Sequence, residues 1–142
     1  MSGSAVRAGR ELRVLVGRLR RRLKEVSADD DLSASQTSAL ARLAREGASS
    51  ASALAGAERV RPQSMAATLA ALEERQLVQR SQDPDDGRRQ VVSLTGPGRE
   101  RAEGAQAARE EWLTRALQDR YTEDERGTIV EALGLLDRLS QP

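Results

Sequence analysis

The stretch Gln79 to Thr95, QRSQDPDDGRRQVVSLT, decides the fold of this chain. It joins two short runs with strand character, Leu77 to Ser81 and Gln90 to Leu94. Between them lie Asp83-Pro84-Asp85-Asp86-Gly87 and a bare arginine pair, Arg88 and Arg89. Proline presets φ, glycine accepts positive φ, and aspartate bonds its own backbone, so the segment is a strong turn signal. Val92 and Leu94 alternate with Val91 and Ser93, as in a strand with one packed face. The reading is a β-hairpin with two arginines at its shoulder. A hairpin this small is not stable alone in water, so it must lean on its neighbours.

Those neighbours read as helices. Leu12, Leu15, Val16, Leu19, Leu23 and Val26 recur at three- and four-residue spacing and predict one long amphipathic helix over residues 5–27. Asp29-Asp30-Asp31 ends it. Ser33 and Gln36 match a capping box for a second helix, Ala34 to Glu46, with Gly47 as its stop. Ser49 or Ser50 caps a short third helix, Ala51 to Glu58, which buries Leu54; Val60 reads as a buried turn residue. Pro62 suits the first turn of a fourth helix, which ends near Arg75 or Gln76. After the hairpin, Thr95 caps a helix from Pro97 to Arg120. Thr122 and Glu125 form a second capping box and open a last helix that buries Ile129, Leu133, Leu136 and Leu139, with Val130 beside them.

A wheel of the fourth helix carries the first functional argument. Met65, Leu69 and Leu72 at i, i+4, i+7 face inward. Gln63, Ala67 and Glu74 then point outward, Ser64, Ala70 and Ala71 flank them, and Thr68 lies at the edge. That outer face is small and polar where a solvated helix would carry Lys and Glu, so another surface can approach closely. Arg59 and Arg61 precede its N-terminus, where free N–H groups favour anions.

Composition narrows the function classes. The chain has 142 residues and a formal net charge of +1, with no Cys and no His. Disulfides, thiol redox sensing and thiolate metal sites are excluded, and so are the commonest acid–base group and metal ligand. Trp112 and Tyr121 are the only aromatics. The core is therefore aliphatic, and a partner surface is expected to complete it. Residues 1–26 carry eight basic side chains against two acidic, whereas residues 98–142 carry seven against ten. The basic run is read as a solvated face ahead of an aid to attracting DNA. All but one of the cations are arginine, which a GC-rich genome explains as well as phosphate contacts do. No apolar run reaches a membrane span and no signal peptide is evident, so the expectation is a cytoplasmic protein with no membrane partner. No catalytic site and no metal site is expected: the aspartates of the hairpin are explained by a turn, and Asp29 to Asp31 by a polar linker.

The order helix, short helix, turn, helix, hairpin is that of a helix-turn-helix with a wing. In such modules the second helix enters the major groove. Gln63 suits a bidentate contact with adenine, Ser64 and Thr68 can meet base or phosphate, and the Ala67 methyl can touch thymine. A guanidinium on the wing suits the narrow minor groove.

At this point the sequence resembles the multiple antibiotic resistance regulator (MarR) family of bacterial winged-helix transcription factors. The matching residues run from Leu54-Ala55 to Gly98. They include Val60-Arg-Pro-Gln-Ser64, Leu72-Glu73, Leu77-Val78-Gln-Arg80, Asp86-Gly87-Arg88-Arg89, matching Asp-x-Arg-Arg, and Leu94-Thr95 with Gly98. The resemblance implies a mainly α fold with a β-hairpin wing: an N-terminal dimerisation helix over 1–31, a winged helix-turn-helix lobe over 32–96 and C-terminal dimerisation helices over 97–142. It implies a homodimer through Leu12, Leu15, Leu19, Ile129, Leu133 and Leu136, acting as a repressor on a pseudo-palindromic operator in double-stranded DNA. The recognition helix would use Arg61, Pro62, Gln63, Ser64, Ala67 and Thr68. The wing would use Asp86, Arg88 and Arg89, with one of the two arginines, Arg88 ahead of Arg89, in the minor groove and Asp86 orienting it. Ser49 and Ser50, at the start of the third helix, would meet phosphate. No cofactor is expected. Family members often bind a small anionic or aromatic ligand between dimer helices and DNA-binding lobe. Here that would require an aliphatic pocket edged by Arg, Trp112 or Tyr121, and a chain with no ligand is the other option. The rival from a different class is a winged-helix protein adaptor without DNA readout.

Overall fold

A computed structural model describes residues 1–27 and 31–142. The chain begins with helix α1, Gly3–Val26, capped by the Ser2 side chain, which accepts from the backbone N–H of Ala5. Residues 28–30, and with them the expected helix stop at Asp29 and Asp30, lie outside the described residues. Helix α2, Ala34–Glu46, opens on the full capping box of Ser33 and Gln36 and stops at Gly47, φ 84°. Helix α3, Ala51–Glu58, is capped by Ser50. Helix α4, Pro62–Glu74, has its proline in the first turn. Helix α5, Gly96–Arg120, is capped by Thr95. Helix α6, Glu123–Asp137, starts on the capping box of Thr122 and Glu125 and tightens into a 3-10 turn, Arg138–Ser140. The mostly helical fold with one hairpin is the expected one.

Strands β1, Val78–Gln82, and β2, Gln90–Leu94, pair antiparallel from Val78↔Leu94 to Gln82↔Gln90. β1 is displaced one residue from the expected Leu77 to Ser81, because Leu77 is spent on ending α4. Its N–H bonds Leu72 O and the Gln76 N–H bonds Glu73 O, both at 2.9 Å, with Gln76 in the left-handed region at φ 61°. This 6→1 and 5→2 pair is a Schellman stop. Ser49 adds a single bridge on the far side of β2, its N–H bonding Val92 O at 3.0 Å and its O accepting from the Val92 N–H at 2.7 Å. The hairpin is thus stitched to the start of α3.

The fully buried apolar residues all lie between Ala39 and Val92. They are Ala39, Leu40 and Leu43 of α2, Leu54 and Ala55 of α3, Met65, Leu69 and Leu72 of α4, and Leu77, Val78 and Val92 of the wing. Burying such side chains contributes about 1.5–3 kcal/mol each, which makes this lobe the stable centre of the chain. α1 and α6 bury no residue, and α5 buries only Gly98.

Two expectations are corrected. Within one chain Leu133, Leu136 and Leu139 are 58, 40 and 74% exposed and Val130 is 70%, so α6 does not bury its apolar stripe against its own chain. Val60 is 39% exposed. Its N–H closes the Schellman stop of α3 on Ala55 O at 3.0 Å, so the residue is fixed by its backbone while its side chain stays out of the core.

Candidate nucleic-acid interface

The α3–turn–α4 unit is held from beneath by Met65, Leu69 and Leu72, each at most 3% exposed. The opposite face leaves Gln63, Ser64, Ala67 and Ala70 exposed and Thr68 half-buried. Arg61 occupies the N-cap with no side-chain cap hydrogen bond, so the first N–H groups of α4 are not satisfied from that residue. The guanidiniums of Arg59 and Arg61 and the Gln63 amide have no partner among the described residues. Two cations and one amide therefore stand at the exposed start of a helix whose outer face over the next two turns carries only methyls and hydroxyls.

The wing loop is built by its aspartates. Asp83 Oδ1 accepts from the Asp85 N–H at 2.9 Å, and Asp86 Oδ1 accepts from the Arg88 N–H at 3.1 Å. The backbone closes with Asp83 N–H to Arg89 O at 2.8 Å and Arg89 N–H to Asp86 O at 3.0 Å. Two Asx turns thus do the work expected of glycine, and Gly87 does not take positive φ; Gly47 is the only glycine among the described residues that does. Asp86 orients Arg88 through its backbone N–H, not through a carboxylate–guanidinium pair.

The two arginines differ. Arg89 Nη2 donates to Ser50 Oγ at 3.0 Å. Ser50 is 5% exposed and its hydroxyl already caps α3 by accepting from the Ala53 N–H at 3.1 Å. The exposed Arg88 guanidinium has no partner among the described residues. Ser49 is half-buried and uses its backbone on β2. Arg80 Nε donates to Glu73 Oε2 at 2.7 Å, tying β1 to the side of α4.

A second clamp joins the wing to α5. Thr95 Oγ1 donates to Gln76 O at 2.6 Å and accepts from the Gly98 N–H at 3.1 Å, while the Thr95 N–H reaches Leu77 O at 3.1 Å. A Cβ on Gly98 would sit 1.9 Å from Leu77 O. Only glycine lets the first turn of α5 pass there.

The family model described as MarR family matches residues 32–90. An uncharacterised HTH-type transcriptional regulator of Mycobacterium leprae is 39% identical over 136 residues, spanning 96% of this chain and 94% of that one. A second, from Mycobacterium bovis, is 42% identical over 117 residues, 82% of each chain. The chain belongs to the MarR family. A Pseudomonas aeruginosa protein designated a transcriptional regulator shares the fold at a TM-score of 0.88, with 35% identity over 100% of this chain and 99% of that one. A MarR family protein of Bacillus stearothermophilus, 20% identical over 100% of this chain and 99% of its own, shows the same fold at 0.80.

In this MarR-family chain the lobe meets α1 and α5 through polar bridges that no motif announces. Asp31, expected as linker, accepts from Arg101 at 2.5 Å and Arg75 at 2.7 Å, joining the α1–α2 connection to the end of α4 and to α5. Those two bonds hold its carboxyl well below the usual range. Arg109 Nε donates to Ser27 Oγ at 2.8 Å. Beside it a cavity of about 380 Å³ opens between α1, α2 and α5, with Leu23 and Leu32 in its wall. Its charged lining is Arg20, Lys24, Arg42, Arg45, Arg109 and one acid, Glu58. Burial alone would raise the Glu58 carboxyl, but the Ser38 hydroxyl and Arg42, 2.9 Å away, outweigh it and lower it. The expected aromatic edge is absent from this cavity. Trp112 instead lies between the guanidiniums of Arg22 and Arg120, 5.3 and 5.8 Å from its ring centre.

Proposed function

We propose that this chain is a sequence-specific DNA-binding transcriptional regulator that works as a homodimeric repressor. The observation that carries the reading is the exposed face of α4. It combines an unpartnered Gln63 with small neighbours and stands beside a wing that presents one unpaired guanidinium, Arg88. Arg61, Pro62, Gln63, Ser64, Ala67 and Thr68 supply the major-groove surface, and Arg88 the minor-groove probe. Asp86 shapes the loop that carries Arg88, and Arg89 fixes that loop to Ser50. Ser49 and Ser50 mark the start of α3, where a phosphate is met.

Residues 32–96 form the reading lobe, and residues 1–31 and 97–142 the dimer arms. Leu15 and Leu19 on α1 are 51 and 40% exposed, and Leu133 and Leu136 on α6 are 58 and 40%. With Leu12 and Ile129, both half-buried, they form apolar stripes that one chain leaves uncovered. A second copy covers them. A small anionic ligand, the effector, fits the cationic cavity between arm and lobe and releases the operator by shifting one against the other. The protein acts in the cytoplasm. We read it as a regulator and not as an enzyme, in keeping with its relatives, which are named transcriptional regulators.

The test is selection of sheared genomic DNA by the purified protein, followed by footprinting. The expected outcome is a protected pseudo-palindrome with half-sites one helical turn, ~10 bp, apart. Uniform recovery of all fragments, with no footprint, would refute the reading.

A further inference from the structure

Three positions among the described residues hold positive φ: Gly47, Arg59 and Gln76, ending α2, α3 and α4. Glycine is the residue that adopts this conformation without penalty, and at the Schellman C′ position it is the usual one. α2 ends on a glycine, Gly47, at φ 84° and ψ −171°, a region open to glycine. α3 does not: Arg59 sits at φ 55°, ψ 45°, its N–H bonding Gly56 O at 3.2 Å. A branched-chain geometry is not involved, yet a Cβ in this region is still strained.

The backbone bonds of the stop, Arg59 N–H to Gly56 O and Val60 N–H to Ala55 O at 3.0 Å, hold this turn, and among the described residues the Arg59 side chain adds nothing to them. Arg59 is exposed, and among the described residues its guanidinium has no hydrogen bond, ion pair or ring contact. Its neighbour Glu58 is the natural partner, but that carboxylate turns inward and is taken by the Ser38 hydroxyl and by Arg42 Nε at 3.0 Å. The left-handed turn therefore holds a free cation out at the corner between α3 and α4. Residues in such conformations cluster at functional sites, and here the exposed charge, not the backbone, sets Arg59 apart from Gln76.

We propose that Arg59 is a DNA-contacting residue that grips a backbone phosphate of the duplex and is retained at a glycine position for that contact. The inference rests on the DNA-binding reading above and adds to it a sequence-independent anchor at the turn. Gln76 is the internal control. It holds the same conformation with no charge, at the far end of α4, roughly 20 Å along the helix at 1.5 Å per residue.

The experiment compares the full-length wild type with Arg59→Gly, Arg59→Lys and Gln76→Gly. Thermal unfolding and the binding of a random-sequence duplex over a salt series are measured for each. Arg59→Gly keeps or raises Tm while weakening binding, and it lowers the slope of log K against log salt by about one per protomer. Arg59→Lys keeps the slope. Gln76→Gly keeps or raises Tm with binding unchanged. An Arg59→Gly slope equal to wild type overturns the phosphate contact. A Tm fall of more than about 2 °C in that variant overturns the strain argument, since a merely structural arginine moves stability and binding down together. A wild type that binds no duplex at any salt overturns the DNA-binding reading itself.

Discussion

At Arg89 the guanidinium donates to a buried hydroxyl on Ser50, while at Arg88 it is unpaired among the described residues, and this separates two residues that are adjacent and chemically identical. The assignment was open in the sequence, because a contact across 39 positions leaves no periodic signal. The α4 surface was legible, since Met65, Leu69 and Leu72 fix the wheel and all else follows from 100° per residue. Glu58 was not, because its partners Ser38 and Arg42 sit on another helix. Its carboxyl lies below its ordinary 4.5 once Ser38 and Arg42 have outweighed burial. A group lowered in the folded state contributes stability that is fully present above the unfolded value and is lost as pH falls through the folded one. Glu58→Gln is therefore expected to be less stable than wild type by about 1–2 kcal/mol at pH 7. The gap narrows as pH drops below 4.5, which denaturant unfolding at pH 7 and at pH 3 will measure. A gap that widens on acidification would contradict the role of the ionised pair.

At the scale of elements, the helices were legible wherever their ends carry chemistry. α2, α3 and the start of α6 fall on their expected residues because Ser33, Ser50 and Thr122 cap them. The hairpin was legible from its turn residues, though the aspartates and not Gly87 make the turn. What stayed hidden was how elements touch. Leu94-Thr95-x-x-Gly98 reads as a motif, and its reason appears only where Thr95 bridges Gln76 O to the Gly98 N–H and the Leu77 carbonyl fills the space a side chain would need. Gly98→Ala drives a Cβ into backbone that cannot yield. Overpacking of this kind costs about 1–3 kcal/mol. The expected result is a Tm lower by roughly 5–10 °C in calorimetry, with weakened DNA binding that follows the loss of fold. An unchanged Tm would mean that α5 does not pack on Leu77 as described.

At the scale of the whole molecule, one stable lobe carries arms that bury almost nothing of their own. The spacing predicted burial of Leu133 and Leu136 and the family resemblance put both in a dimer seam; the single chain has no surface to cover them. Amphipathic spacing reports that a face seeks burial without saying in which copy. Likewise Asp31 gave no sign of joining Arg75 to Arg101, although that bridge fixes the end of α4 against α5. The proposed two-fold reader follows from putting these scales together: free side chains on α4 and the wing, a lobe that holds them, and arms that pair them. The most direct measurement is a mobility-shift titration of operator DNA with Arg88→Ala, alongside light scattering of the same sample. The account predicts a particle of twice the 15.4 kDa chain mass with specific binding lost. A dimer that binds the operator as tightly as wild type would contradict it.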